Sequence, residues 1–244
     1  MHLSTSRLVS FFAALAVGLT CATPAGAAPH PPKITCARCI VVDESGRVLY
    51  ARNPRDRFPN ASTTKMVTAL LVAHRADPDE TVVVSGAAAA VGGGGLDLVP
   101  GDVFTVDQLM RAMLLDSSNE AAAALAEHVG GTTARFVALM NAYLRRIGAD
   151  RTHFVNPHGL DAPGHYASAA DLASIGRHVL DDPYLARIVA LRRATIPTPR
   201  GPATFDNRNL LLESYRGAIG IKTGYTLGAG NVLVAAARRN GHTL

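Results

Sequence analysis

The 244-residue sequence contains no tryptophan, and aromatic residues make up only 5% of it. Few side chains are therefore available to stack on single-stranded nucleic acid. The net charge is +5, but the cations are scattered rather than gathered in one basic run, so we expect no nucleic-acid partner. No repeat of solenoid period and no heptad run occurs. With 48% apolar and 18% charged residues, the chain is predicted to fold into a globular domain with a sizeable core.

Long apolar runs are also lacking. The stretch Leu8–Gly18 is shorter than a membrane span requires, and small residues follow it at Ala25–Ala27. This pattern is typical of a secretory signal, predicted here over residues 1–27, with the remaining domain over residues 28–244. We therefore expect an exported protein that meets the membrane only through this segment, if the segment is not cleaved.

Cysteine is scarce. Cys21 lies in the predicted signal, which leaves Cys36 and Cys39. An extended chain holds residues three apart beyond disulfide reach, so a bond between them requires a turn at Ala37–Arg38. A redox motif would need a following helix, which this segment lacks. At this point a structural disulfide and two free thiols both remain open.

Hydrophobic periodicity predicts strands near both ends of the domain and helices between them. The predicted strands are 39–43, 47–52, 82–84, 218–223 and 231–238. The predicted helices are 62–74, 106–115, 120–129, 132–147 and 168–180, and the segment 185–195 is ambiguous. We interpret this as an α/β (α+β) fold. An antiparallel sheet lobe (about 33–76 and 186–244) is flanked by helices and carries an inserted helical lobe (about 77–185).

Lysine is scarce: only three of the 24 Lys and Arg residues are lysines. A buried lysine can lose its proton and an arginine cannot, so each lysine is a candidate for chemistry. Lys33 lies in a Pro-rich lead-in and is predicted to be on the surface. Lys65 follows Ser62 by three residues, on the same helical face, where a neutral amine could accept the hydroxyl proton. The simpler interpretation is a helix-capping serine followed by a surface lysine.

Two further polar clusters are candidates. Lys222 and Thr223 precede Gly224 on a predicted strand, and together they could bind a carboxylate. An edge-strand lysine would explain the same residues. A phosphate-binding loop is excluded, because Ile221 stands where glycine is needed. The cluster Ser117–Asn119 joins two predicted helices and could equally be an ordinary helix cap.

Taken together and in this order, the three clusters resemble the active-site triplet of the penicillin-binding proteins and serine β-lactamases. More narrowly, the chain resembles the low-molecular-mass D-alanyl-D-alanine carboxypeptidases, from about Cys39 to Thr243. The segments that carry the resemblance are Pro59–Met66, Asn156–Asp161, Gly164–Asp171 and Gly220–Thr226.

The resemblance implies a role for each residue of the first two motifs. Ser62 would be the acylated nucleophile and Lys65 its proton acceptor. Ser117 would join the proton network, and Asn119 would hold the peptide. The family often has glycine in the middle of the second motif, where this sequence has Ser118.

The resemblance also implies a binding site for the substrate carboxylate. Lys222 and Thr223 would bind the terminal carboxylate, and Gly224 would let it approach. Backbone N–H groups of Ser62 and Tyr225 would form the oxyanion hole. The implied substrate is the D-Ala-D-Ala end of a peptidoglycan stem peptide, β-lactams would be covalent inhibitors, and no metal or organic cofactor is implied.

Other activities remain as alternatives. A class A β-lactamase would need a glutamate in a loop after the second motif, and none of the glutamates between the second and third motifs has that pattern; these are Glu120, Glu127 and Glu213. A D,D-endopeptidase on the same fold is closer. An α/β hydrolase would need a Gly-x-Ser-x-Gly motif, which is absent. By residue type His158, Asp161 and His165 could be metal ligands, but they fall in a loop that the resemblance implies is structural.

The resemblance finally implies a last strand between the first hairpin and the 231–238 strand, with a helix packed on the sheet. Only His242–Leu244 follow the turn signal at Asn240–Gly241. We therefore expect that this strand and helix are missing from a C-terminally truncated domain. An inactive relic of a penicillin-binding protein is the remaining alternative.

Overall fold

The computed structural model describes residues 34–93 and 95–244. Within these ranges, strands lie towards both ends of the chain. The predicted signal, Cys21 and Lys33 fall outside these ranges. The strands are β1 (Cys39–Val42), β2 (Val48–Arg52), β3 (Thr81–Val83), β4 (Val103–Thr105), β5 (Arg193–Ile196), β6 (Ala203–Asp206), β7 (Ala218–Thr226), β8 (Gly230–Arg239) and β9 (His242–Thr243). The helices are α1 (Lys65–Ala73), α2 (Gly86–Ala89), α3 (Val106–Arg111), α4 (Asn119–Gly130), α5 (Thr133–Arg146), α6 (Ala169–Asp181), α7 (Pro183–Val189) and α8 (Leu211–Ser214).

The strands pair only in antiparallel fashion among the described residues. β1 pairs with β2, and β7, β8 and β9 form a three-stranded sheet in that order. β3 with β4 and β5 with β6 form separate two-stranded ribbons. The predicted mixture of antiparallel sheet and helices is confirmed, and the Asn240–Gly241 turn leads into β9, which pairs with Arg238 and Arg239.

The core centres on α1, whose residues Lys65–Val72 are all buried. A helix that is apolar on nearly every side must be surrounded, and α1 contacts α4, α5, α6 and α7. Residues Thr35–Leu244 form one compact unit. No helix in the described ranges is long and apolar enough to cross a membrane.

Helix α6 supports both main sheets, because it contacts β1 on one side and β8 on the other. Gly176 allows the close approach of α6 to the β7–β8 sheet, because a Cβ there would lie 2.9 Å from Val234 Cγ1 and 3.0 Å from Ile221 Cδ1. A groove of about 410 Å³ separates β1 from β8, with Leu172 of α6 at its lining.

Some elements differ from the prediction. The ambiguous segment 185–195 divides into the end of α7 and the start of β5. Helix α7 begins at Pro183, a residue suited to a first turn, and the Asp182 side chain accepts hydrogen bonds from the N–H groups of Tyr184 and Leu185. Strands β4, β5 and β6 were not predicted from the sequence. The question left open for the cysteines is settled: Cys36 and Cys39 form a disulfide, with the chain bent between them.

Candidate active site

Ser62 lies in a 3₁₀ turn that leads directly into α1, rather than at the cap of a regular α-helix as expected. The turn spans Ala61–Thr64, and Ala61 has a left-handed φ of +48°. In 3₁₀ geometry, side chains three residues apart eclipse one another. The side-chain nitrogen of Lys65, Nζ, accordingly lies 2.9 Å from Ser62 Oγ. The predicted proximity of these two side chains is present, but a tighter turn than an α-helix produces it.

Lys65 is completely buried, and burial lowers its pKa well below the usual value. Nearby Lys222 and Arg208 lower the pKa further. Besides Ser62, Lys65 Nζ contacts two obligatory acceptors: Asn119 Oδ1 and the His158 carbonyl oxygen, each at 2.7 Å. A neutral amine has two N–H groups for these acceptors. In that form the lone pair would be left for the Ser62 hydroxyl, as a general base requires.

The His158 carbonyl reaches Lys65 because its loop is tied to α1. Thr68 Oγ1 donates to the Pro157 carbonyl at 2.6 Å. The Asn156 side chain closes the turn by accepting from the N–H of His158. A loop expected only to be structural therefore supplies one of the three contacts of the candidate base.

The second motif follows a π-helical turn over Ala112–Asp116. Ser117 then adopts a left-handed φ of +71° and lines the cleft in front of Ser62. Ser118 is fully buried and its hydroxyl caps α4, accepting from the Ala121 N–H. The serine that replaces the family's frequent glycine therefore serves the helix and not the cleft.

Asn119 links Lys65 to the loop that follows α2. Its Oδ1 accepts from Lys65, and its Nδ2 donates to the carbonyls of Gly92 and Gly93 at 3.2 and 3.3 Å. With its side chain engaged at both ends, Asn119 is held in one orientation at the cleft.

The third motif lies on β7. Lys222 is also buried, and its pKa is lowered to about 7, chiefly by burial and then by Arg208. Its Nζ donates to the Thr223 carbonyl at 3.1 Å. Near neutral pH this amine is poised between its charged and neutral forms, so an anion bound beside it would favour the charged form.

Gly224 packs against the backbone of the nucleophile. A Cβ at this position would lie 2.9 Å from the Ser62 backbone nitrogen and 3.0 Å from Ala61 Cβ. The missing side chain therefore makes room for Ser62 itself, in addition to any room it leaves for a carboxylate. The next residue, Tyr225, is 63% exposed on the cleft rim.

The residues predicted from the three motifs converge on one cleft of about 540 Å³. Its lining includes Ser62, Ser117, Asn119, Thr223, Gly224 and Tyr225. Lys65 and Lys222 are buried beside these residues, next to Ser62 and Thr223.

Sequence reasoning missed Arg208, which also lines the cleft. Its guanidinium pairs with Asp116 at 2.8 Å and helps to lower the pKa values of both Lys65 and Lys222. The sequence signal for it was weak, because one arginine in an Arg-rich chain is unremarkable away from a motif. Arg208 and Asp116 therefore bring an ion pair to the cleft, close enough to Lys222 to affect its pKa.

The three residues considered as metal ligands by type make other contacts. His158 Nδ1 accepts from the Leu160 N–H at 3.3 Å. Asp161 accepts from Thr226 Oγ1 and the Gly228 N–H, tying its loop to the β7–β8 turn. His165 Nε2 lies 2.8 Å from Thr64 Oγ1. Over residues 34–93 and 95–244, no group of three or more His, Cys, Asp or Glu side chains could hold a metal ion.

Comparison with known proteins agrees with this geometry. The chain is 38% identical over 223 residues to the D-alanyl-D-alanine carboxypeptidase DacB2 of Mycobacterium tuberculosis, covering 91% of this chain and 76% of the relative. It is 36% identical to DacD of Salmonella typhimurium, covering 86% of this chain and 56% of that relative.

Solved structures give the same result. A D-alanyl-D-alanine carboxypeptidase from M. tuberculosis superposes with a TM-score of 0.84 at 38% identity, covering 90% of this chain and 84% of the other. The Streptomyces K15 DD-transpeptidase superposes with a TM-score of 0.80 at 31% identity, covering 87% and 89%. The D-alanyl-D-alanine carboxypeptidase family model, peptidase S11, matches residues 25–244. The chain therefore belongs to the peptidase S11 family of D-alanyl-D-alanine carboxypeptidases.

Proposed function

We propose that this protein is a serine D,D-carboxypeptidase that removes the terminal D-Ala from peptidoglycan stem peptides. The observation that carries the proposal is the contact between Ser62 Oγ and the wholly buried Lys65 Nζ at 2.9 Å. Family membership supports the substrate class. β-Lactams, which resemble D-Ala-D-Ala, would acylate the same serine.

In the acylation step, Ser62 Oγ attacks the carbonyl carbon of the penultimate D-Ala, and its proton passes to the lone pair of Lys65. The C–N bond of the tetrahedral intermediate then breaks. The departing amine takes the proton from Lys65, which releases D-Ala and leaves an ester on Ser62. This step requires Lys65 to be neutral before the reaction and charged during it, and burial lowers the pKa of Lys65 in the direction that the step needs.

Deacylation reverses the proton transfers. Water attacks the ester, gives its proton to Lys65, and the proton returns to Ser62 Oγ as the acid leaves. The N–H groups of Ser62 and Tyr225 are proposed to stabilise the oxyanion in both steps, a kind of contact worth about 3 kcal/mol per donor. Lys222, Thr223 and Arg208 are proposed to attract the terminal carboxylate.

The β-lactamase alternative has no support from the glutamates. Glu120 and Glu127 belong to α4 and Glu213 to α8, so none stands in a loop beside Ser62.

We also propose that residues 1–27 direct export and that residues 28–244 carry the catalytic domain, with the enzyme acting outside the cytoplasmic membrane. The disulfide between Cys36 and Cys39 suits such a compartment.

The test is covalent labelling with a fluorescent penicillin, combined with a D-Ala release assay on a D-Ala-D-Ala peptide. Ser62→Ala should lose both signals. Ser45→Ala is the matched control, because Ser45 lies in the exposed turn between β1 and β2. Labelling that persists in Ser62→Ala would reject Ser62 as the nucleophile. Labelling without D-Ala release would reject the carboxypeptidase activity.

A further inference from the structure

His165 stands behind the nucleophile turn and is not part of the reaction proposed above. It is 6% exposed, and its ring stacks on Phe154 with centroids 5.0 Å apart. One ring nitrogen, Nδ1, is 3.2 Å from the Val155 N–H, and the other, Nε2, is 2.8 Å from Thr64 Oγ1.

The hydrogen-bond partners determine the tautomer of this ring. The Val155 N–H can only donate, so His165 Nδ1 must accept and carries no proton. In a neutral imidazole the proton is then on Nε2, which donates to Thr64 Oγ1. Thr64 Oγ1 also accepts from Asn60 Nδ2 at 2.9 Å, and its own proton goes to the Ala61 carbonyl at 2.9 Å. The Thr64 hydroxyl is therefore saturated, with two bonds accepted and one donated.

This chain of hydrogen bonds ends on the residue that presents the nucleophile. Ala61 immediately precedes Ser62 and has an unfavourable left-handed φ of +48°. Gly159 packs against the other side of the Ala61 carbonyl, and a Cβ at position 159 would overlap the carbonyl oxygen. The Thr64 hydroxyl must donate to the Ala61 carbonyl to hold it in this orientation. The orientation of that carbonyl in turn sets the position of the Ser62 N–H and Oγ.

We propose that His165 is a positioning residue for Ser62, acting as the neutral Nε2–H tautomer through Thr64 on the Ala61 turn. This role rests on the proposed function, because its measure is the rate at which Ser62 is acylated. Protonation of His165 at Nδ1 would place a second N–H against the Val155 N–H, and the hydrogen bond between them would be lost.

Burial lowers the pKa of His165 to about 4, so the neutral form is maintained at neutral pH. The titratable groups that face it from its own loop are His153, which lowers the pKa, and Asp161, which raises it. His158 also interacts with the ring, and Lys65 follows Thr64 on α1. Acylation should therefore lose the contribution of His165 as the pH falls through about 4.

Two matched pairs of variants test the role. Gln can place an N–H near the position of Nε2 and keep the donor to Thr64. Asn reaches only the position of Nδ1 and loses that donor. In the second pair, Thr64→Ser keeps the hydroxyl and Thr64→Val removes it. The second-order rate of acylation by a β-lactam is measured from pH 3 to 8 for each folded variant, with melting temperatures recorded in parallel.

We expect His165→Gln and Thr64→Ser to acylate close to the wild-type rate at pH 7, and His165→Asn and Thr64→Val to be slower by about tenfold or more. The acid limb due to His165 should be missing from His165→Gln. Equal rates for the Gln and Asn variants, or an unchanged acid limb in His165→Gln, would overturn the positioning role. A wild-type protein that forms no adduct would instead overturn the proposed function, and this inference with it.

Discussion

The lowered pKa of Lys222 predicts that carboxylate binding weakens above neutral pH. Burial and Arg208 hold this pKa at about 7 in the free protein. Only the charged amine attracts a carboxylate, so binding above this pH must take up a proton. Affinity should be constant below pH 7 and fall by up to tenfold for each pH unit above it, or about 100-fold at pH 9.

The assay is calorimetric titration of a D-Ala-D-Ala peptide into Ser62→Ala, which cannot be acylated. Repeating the titration at pH 8 in buffers of different ionisation enthalpy should show uptake of close to one proton. Lys222→Arg is the control, because a guanidinium stays charged throughout this range and should give a flat profile. A dissociation constant for Ser62→Ala that is unchanged from pH 6 to pH 9 would refute the assignment of Lys222 as the carboxylate ligand.

Three further predictions concern stability and the nucleophile turn. Burial lowers the pKa values of His158 and His165 to about 4, so the unfolded chain binds more protons between pH 6.5 and 4. The free energy of unfolding should fall by about 3 kcal/mol per histidine over that window, and a denaturant midpoint equal at pH 7 and pH 4.5 would contradict this. Gly224→Ala should slow acylation by about 100-fold in stopped-flow measurements, because its Cβ would crowd the Ser62 N–H; a wild-type rate would show that the turn can yield. Ser118→Ala should cost about 1 kcal/mol in chemical denaturation and Ser118→Gly only a few tenths, and a large loss of acylation in either would mean that Ser118 acts in the cleft.

Local periodicity was sufficient for the longer elements. Helix α5 was predicted at 132–147 and spans Thr133–Arg146, because Phe136, Met140 and Leu144 recur at helical spacing and are all buried. The short strands β5 and β6 were missed, since the burial of Ile196 becomes visible only when its partner strand is known. Each strand has four residues, and an alternation of apolar and polar residues that short cannot be distinguished from a loop.

The sequence predicted which side chains form the site, but it did not predict most of the contacts that these side chains make. The spacing of Ser62 and Lys65 placed them on one helical face, but taken alone it favoured a capping serine and a surface lysine, and only the resemblance made them partners. The contact of Lys65 with Asn119 joins residues 54 apart and depends on tertiary packing. The His158 carbonyl carries no side-chain signal at all, because any residue would supply a carbonyl oxygen there. Its place beside Lys65 depends on the loop that Asn156 and Thr68 hold.

The burial of both site lysines has a practical consequence for handling this protein. Within the described part of the chain, Lys65 and Lys222 are the two lysines, and they are 0% and 1% exposed. The described surface therefore offers arginine but no lysine amine. A reagent directed at amines, such as a succinimidyl ester, should therefore modify neither of these two lysines until the protein unfolds.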